Sequence, residues 1–396
     1  MRWFPLLLAL LVAPWPAWAQ SAPGPASPPA ASLPAATATE PDAGAPPQAL
    51  DERGWPVGDD AEAVADAAVN AWLARPPVVL QELAALSPEE ACRLLPEALR
   101  APPPPAGTRV VLEDRRSLPH PDDAGRTAFT YAAVRPGDEL DVVQVDLRRI
   151  DDGWVVERVG FRVTDDLVGV RAWLQTPFAS TAFVALTLLV LWGLARPSPL
   201  RRALAQGLAT ARAHRATVAV TMGLLYAVFG LGVVAGTSLP PACDEAVLTI
   251  VEGAVQQLGL QQAYGSGDVA RAAVVTFYQN FVVVTFSVHF FLTLLLGVPS
   301  YLLAVPQFFV LGLPFGLVLG ASIVALLPLL VLLLLEFTAY FLVVSGGGIV
   351  LGTLFRRGFG AYPQAVRSAA SLLVPAGLLL LVGAWYEAVL IVVFGI

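Results

Sequence analysis

Glu336 carries the most chemical promise in this sequence. It lies in the run LLLLEFTAYFLVVSGGG, with apolar residues on both sides. A carboxyl at membrane depth is costly, so it faces a bundle interior or a water-filled cavity. Two readings fit: a group on a polar intramembrane path, or a structural acid that is protonated or hydrogen-bonded. His289 is the candidate partner for it, and Asn280, Gln279 and Gln307 offer further hydrogen bonds. Glu387, close to the end of another apolar run, reads as a side chain reaching the interface. Other chemistry is sparse. His120 stands in the Pro-rich loop LPHPDD and reads as solvated. The acidic pairs Asp122-Asp123 and Asp151-Asp152 suit acid–base work or calcium in principle, but turn chemistry accounts for both. There is no HExxH zinc pattern. Gly320-Ala321-Ser322 hints at an intramembrane serine protease, yet the only membrane histidine precedes it, the reverse of the rhomboid order. No Lys occurs, so no phosphate-binding loop of the Gly-rich, Lys-containing kind exists. The expectation is a protein that is not an enzyme, with no cofactor and no metal.

Composition separates the elements that would position these residues. The chain is 56% hydrophobic and 14% charged, where about a quarter charged is usual for soluble domains. Only Asp244, Glu245, Glu252, Asp268, Glu336 and Glu387 are acidic after Thr176. A wet half therefore precedes an oily half. No Arg stripe or basic tail points to nucleic acid.

Residues 1–19 read as a signal peptide: Arg2, an apolar run from Phe4 to Val12, then Ala17-Trp18-Ala19 before Gln20. An uncleaved anchor is the alternative, and without a following Cys no lipid anchor is expected. Residues 20–50 are Ala/Pro-rich and read as a disordered linker. Residues 51–175 read as a small α+β domain outside the cytoplasm. Val64, Ala68, Val69, Trp72 and Leu73 share a helical face. Ser87-Pro88-Glu89-Glu90 opens a second helix with a capping box. Strands are expected at Arg109–Glu113, Thr127–Val134, through Val143, Val145 and Leu147, and at Trp154–Val163, with turns at Arg135-Pro136-Gly137-Asp138 and Asp151-Asp152-Gly153. Two helices followed by a sheet ending in GWVVERVGF resemble the cone-shaped NTF2-like domains, and imply a binding or docking module.

The remainder is expected to be an all-α membrane bundle of about six spans: 178–195, 216–237, 277–297, 302–322, 325–351 and 371–394. Arg196 to Arg215 holds five Arg and no acid, and Arg356, Arg357 and Arg367 fall on the same side, so both loops read as cytoplasmic. This implies a multi-pass inner (cytoplasmic) membrane protein with its N-terminal domain and C-terminus on the periplasmic side. The outer segment Ser238–Thr276 contains an amphipathic helix, with Val247, Val251, Ala254, Val255 and Leu258 on one face, expected at the membrane surface or on the bundle. Gly316 with Gly320, and Gly348 with Gly352 after Gly346-Gly347, are small-xxx-small pairs that permit close helix packing or dimerisation. Cys92 and Cys243 both fall in outer segments, where a bridge is permitted; the reading favours two separate buried thiols.

One family resemblance covers somewhat under half of the chain, from about Ala216 to Ile396. A first span is followed by an outer amphipathic segment, by FYQNFVVVTFSV with a span ending at Gly297, by an apolar hairpin with Gly312, Gly316 and Gly320, and by LEFTAYFLVVSGGGIVLG. This order resembles the stage II sporulation protein M family. The family carries Pro-His-Gly-x-x-Glu before a glycine stretch. Glu336 takes the Glu position and Gly346 to Gly348 the glycines, but Val331, Leu332 and Leu333 replace Pro-His-Gly and Pro328 comes three residues early. The resemblance implies a non-enzymatic membrane scaffold of the cell envelope. Its implied partners are the lipid bilayer and other membrane or envelope proteins, peptidoglycan-remodelling enzymes among them; self-association into a homo-oligomer also fits. The alternative is a transporter or channel subunit using Glu336.

Overall fold

In the computed structural model, residues 49–75, 86–119, 125–136, 139–151, 153–162, 169–257, 260–318 and 323–395 are described. The signal peptide, nearly all of the linker, His120, Asp122, Asp123, Asp152, Leu258 and Gly320 to Ser322 lie outside them. The chain divides into two compact units at Val163/Thr164.

In the first unit a six-stranded antiparallel sheet runs in the order β1-β2-β6-β5-β4-β3. Its strands are β1 (Ala49–Leu50), β2 (Pro56–Gly58), β3 (Arg109–Pro119), β4 (Arg126–Arg135), β5 (Glu139–Ile150) and β6 (Gly153–Phe161). Helix α1 (Ala61–Leu73) lies on it, capped by Asp60, whose side chain accepts from the Glu62 amide. The i, i+4 spacing of Val64, Ala68 and Trp72 puts them on one buried face with Ala65 and Val69. Each large apolar side chain buried this way contributes about 1.5–3 kcal/mol. Trp72 also donates its indole N–H to the Pro102 carbonyl at 2.6 Å. Helix α2 (Pro88–Arg100) starts with the expected reciprocal Ser87–Glu90 capping box. The hydrogen bonds from Ser87 hold the Glu90 carboxyl below its ordinary pKa.

Two differences from the sequence reading have physical causes. β1 and β2 are too short to show alternation, and β1 lies at the end of the stretch read as linker. β3 extends past Glu113 to Pro119 because a bulge between Val111 and Arg116 resets its register against β4. Asp151 sits at φ 51°, a left-handed conformation that Asp tolerates, which accounts for this carboxylate as a turn residue.

Among its described residues the second unit contains six helices long and apolar enough to cross a membrane: Pro177–Ala195, Arg215–Thr237, Val269–Leu294, Val298–Leu317, Leu326–Arg357 and Phe359–Phe394. The protein is thus a multi-pass membrane protein with lipid-facing helices. A short helix, α3 (Val170–Leu174), buries Leu174 in this unit's packing with Phe183 and Val274, so the boundary lies earlier than residue 175. The helices follow as α4 (Pro177–Ala195), α5 (Pro199–Ala213), α6 (Arg215–Thr237), α7 (Ala242–Gln257), α8 (Leu260–Gly265) and α9 (Val269–Phe277). A π-helix (Tyr278–Phe290), α10 (Phe291–Leu294), α11 (Val298–Val318), α12 (Ile323–Arg357), a 3₁₀ turn (Phe359–Ala361), α13 (Tyr362–Ser371) and α14 (Leu373–Phe394) complete it.

The third crossing starts eight residues before the expected Phe277. Asp268 caps it, accepting from the Ala270 and Arg271 amides. Ala272 to Thr276 are all buried, so this stretch is enclosed by the bundle and does not lie on a surface. Helix α7 is present where the amphipathic pattern placed a helix, and it buries Cys243 and Ala246. Neither cysteine is a free thiol, which corrects the expectation of two separate thiols.

Glycines set the closest helix contacts, though not in the expected pairs. A Cβ on Gly232 or Gly236 of α6 would fall 2.0 Å from the Phe309 carbonyl oxygen or 2.3 Å from that of Leu313 on α11. Reciprocally, a Cβ on Gly312 or Gly316 would fall 2.4 Å from the Phe229 oxygen or 2.5 Å from that of Val233. Two small-xxx-small pairs thus cross within one chain. Gly346 faces Ala369, Gly347 meets Gly297, and Gly348 meets Tyr301 and Thr217. Gly352 has open space around it and is not a packing residue.

Candidate functional site

The polar residues of the bundle are positioned by an unusual element. From Tyr278 to Phe290 the helix is of π type, with i→i−5 bonding; such stretches are rare and often mark functional positions. Two hydroxyls reinforce the wide turns by bonding the carbonyl five residues back: Thr285 to Asn280 at 2.6 Å and Ser287 to Val282 at 2.7 Å.

Asn280, on the first turn of this element, donates Nδ2–H to Glu336 Oε1 at 2.6 Å. Glu336 comes from α12. On α14, Glu387 carries a second carboxyl within interaction distance of the first. Tyr264 of α8 donates its hydroxyl to Glu387 Oε1 at 2.5 Å. Its single proton being used there, the 2.8 Å bond with Thr276 Oγ1 is donated by Thr276. Two hydrogen-bonded strings result, Thr276–Tyr264–Glu387 and Asn280–Glu336, and their carboxyls neighbour one another, so that α8, α9, the π-helix, α12 and α14 all contribute. Glu336, Glu387, Asn280 and Tyr264 are each half-buried. Gly383 of α14 runs alongside the Glu336 side chain; a Cβ there would be 3.5 Å from Glu336 Cγ, ordinary contact.

The expected residues are thus divided. Asn280 joins Glu336. His289 does not partner it: its ring is fully buried, lies near-parallel to Phe308 at 6.2 Å between centroids, and is 6.5 Å from Tyr340. Both His289 ring nitrogens lack a hydrogen-bond partner among the described residues, as does Gln279 Nε2. The aromatic rings enclosing His289 offer it no carboxylate. Glu387, read as an interface residue, is instead the neighbour of Glu336. The signal for it was only that Glu336 and Glu387 are the sole carboxyls in the spans.

Other hydroxyls tie helix to helix. Tyr226 bonds Thr338 at 2.9 Å, joining α6 to α12. Tyr301 bonds Thr221 at 2.6 Å, joining α11 to α6. Tyr386 donates to the Pro328 carbonyl at 3.2 Å, joining α14 to α12. Trp385 donates to Thr187 at 3.1 Å, joining α14 to α4. Chemically, these groups are donors and acceptors satisfied by one another. Among the described residues no three His, Cys, Asp or Glu side chains gather as a metal site requires. Compared with protein-family models, with curated proteins and with solved structures, the chain matches none.

Proposed function

We propose that this chain is a non-enzymatic scaffold in the cell envelope, whose bundle is a rigid anchor for an exported docking domain. The observation that carries this reading is the polar chain through Glu336 and Glu387. Its members bond helix to helix in two neighbouring strings, and the surrounding Tyr and Gly contacts likewise join helix to helix. The resemblance to the stage II sporulation protein M family supports the same role. So does the NTF2-like pattern of the first unit, read as a docking module. The bundle sits in the inner membrane, with the first unit on the periplasmic side behind a signal peptide. Its partners are other envelope proteins, peptidoglycan-remodelling enzymes among them, and a further copy of the chain. Gentle solubilisation of a tagged full-length chain tests this: envelope proteins recovered in fixed ratio support it, and recovery of the chain with a nucleotide-hydrolysing subunit overturns it.

One observation favours a second reading. Two neighbouring carboxyls beside a π-helix also suit a proton-coupled transporter or channel subunit. Glu336→Gln separates the two, because Gln keeps the hydrogen bonds and cannot titrate. The transport reading requires loss of flux with assembly intact.

A further inference from the structure

One end of the bundle concentrates positive charge without acid. Arg196, Arg201, Arg202, Arg212, Arg215, Arg356, Arg357 and Arg367 are all exposed. No Asp or Glu occurs from residue 167 to 243 or from 337 to 386. Packing brings these segments together. Gly207 of α5 lies so close to α13 and α14 that a Cβ there would fall 2.4 Å from the Ser371 carbonyl oxygen and 2.8 Å from Pro375 Cδ. Ser371 donates its hydroxyl to Thr210 Oγ1 at 2.9 Å. The α4–α5 corner is equally fixed, with Ser198 Oγ donating to the Gly193 carbonyl at 2.5 Å. Helix α5 therefore rests on the bundle through Gly207 and its neighbours, and turns Arg201, Arg202 and Arg212 outward.

The position of the charges identifies their counter-charge. Arg196 follows the last residue of α4, Arg215 begins α6, and Arg356-Arg357 ends α12, all crossing helices. Exposed apolar rings flank them: Phe355 is 84% and Phe359 75% exposed, and Trp192 has the Arg196 guanidinium 5.0 Å from its ring centroid. Aromatic rings beside guanidiniums at span ends lie at the headgroup level of a bilayer. The planar Arg fork matches phosphate oxygens.

We infer that this end of the bundle, centred on Arg201, Arg202 and Arg212 of α5, binds the phosphate headgroups of anionic phospholipids. A general excess of Arg would set orientation only. A helix clamped by Gly207 holds the three guanidiniums at fixed positions along its length, so it retains anionic lipid selectively.

The test uses the full chain, reconstituted into bilayers of equal phosphatidylcholine and phosphatidylglycerol, then delipidated stepwise and analysed for retained lipid. The wild type retains phosphatidylglycerol over phosphatidylcholine, and high salt weakens this preference. The triple variant R201Q/R202Q/R212Q loses roughly tenfold of the preference, while the triple Lys variant keeps most of it. Arg116→Gln, in the exported unit, leaves it unchanged. Equal retention of both lipids by the wild type overturns the inference, and so does a triple Gln variant that behaves as wild type.

Discussion

At the scale of single residues, backbone-on-backbone contact is the most demanding feature. Gly297 has φ 80° and follows Leu296 at φ 61°, reversing the chain between α10 and α11. A Cβ at Gly297 would fall 2.1 Å from the Gly347 carbonyl oxygen. Gly297→Ala is expected to cost about 1–3 kcal/mol from backbone strain alone, read as a lower unfolding temperature in detergent. Gly352→Ala, with free space around it, should leave that temperature unchanged or slightly raised. Both glycines read alike in the sequence, because spacing identifies a small residue and not what it faces. The carboxyls teach the same lesson. Glu336 was legible, since an acid amid leucines signals itself. Its true neighbour was not, since Glu387 lies 51 positions away on another helix and only the bundle's packing brings them together.

At the scale of elements, apolar length made the six crossings legible to within a few residues, except where a different force set the boundary. The third crossing begins early because Asp268 caps it and the bundle buries Ala272 to Thr276. The π-helix was invisible: apolar periodicity carries little information in a segment whose neighbours are apolar on every side. Its hydroxyl bonds predict that Thr285→Val, which removes the bond to the Asn280 carbonyl, lowers stability by about 0.5–1.5 kcal/mol. Helix α2 in the first unit was fully legible at its start, because a capping box is a local code. Here pH should act. The hydrogen bonds from Ser87 lower the Glu90 pKa, so the stabilisation is present above the unfolded-state value near 4.5 and is lost as pH falls through the folded one. Hydrogen exchange at the first turn of α2 should quicken over that acid range, and Ser87→Ala, which keeps only the backbone hydrogen bond to Glu90, should weaken the pH dependence.

At the scale of the whole molecule, the account is of a bundle whose polar groups act as ties. The orientation proposed from Arg placement has a direct check. Neither native cysteine is a free thiol, so introduced thiols report alone. Gly265→Cys, in open space at the end of α8, should react with an impermeant maleimide from the periplasmic side. Gly360→Cys, between α12 and α13, should react only once the cytoplasmic face is opened, and the reverse pattern would invert the topology. The division into a wet and an oily half was plain from composition; the internal pairing of α6 with α11 was not, because Gly232 and Gly236 look like ordinary span residues until Gly312 and Gly316 are seen against them. The most direct test of the central claim is a thermal-unfolding cycle on Glu336 and Glu387 in lipid nanodiscs, using Gln and Leu at each position. If the carboxyls are ties, each Gln variant stays within about 1 kcal/mol of wild type and each Leu variant loses about 1–3 kcal/mol. The double Leu variant then loses less than the sum, with a coupling of at least about 0.5 kcal/mol. Leu variants as stable as wild type, or losses that simply add, would contradict the account.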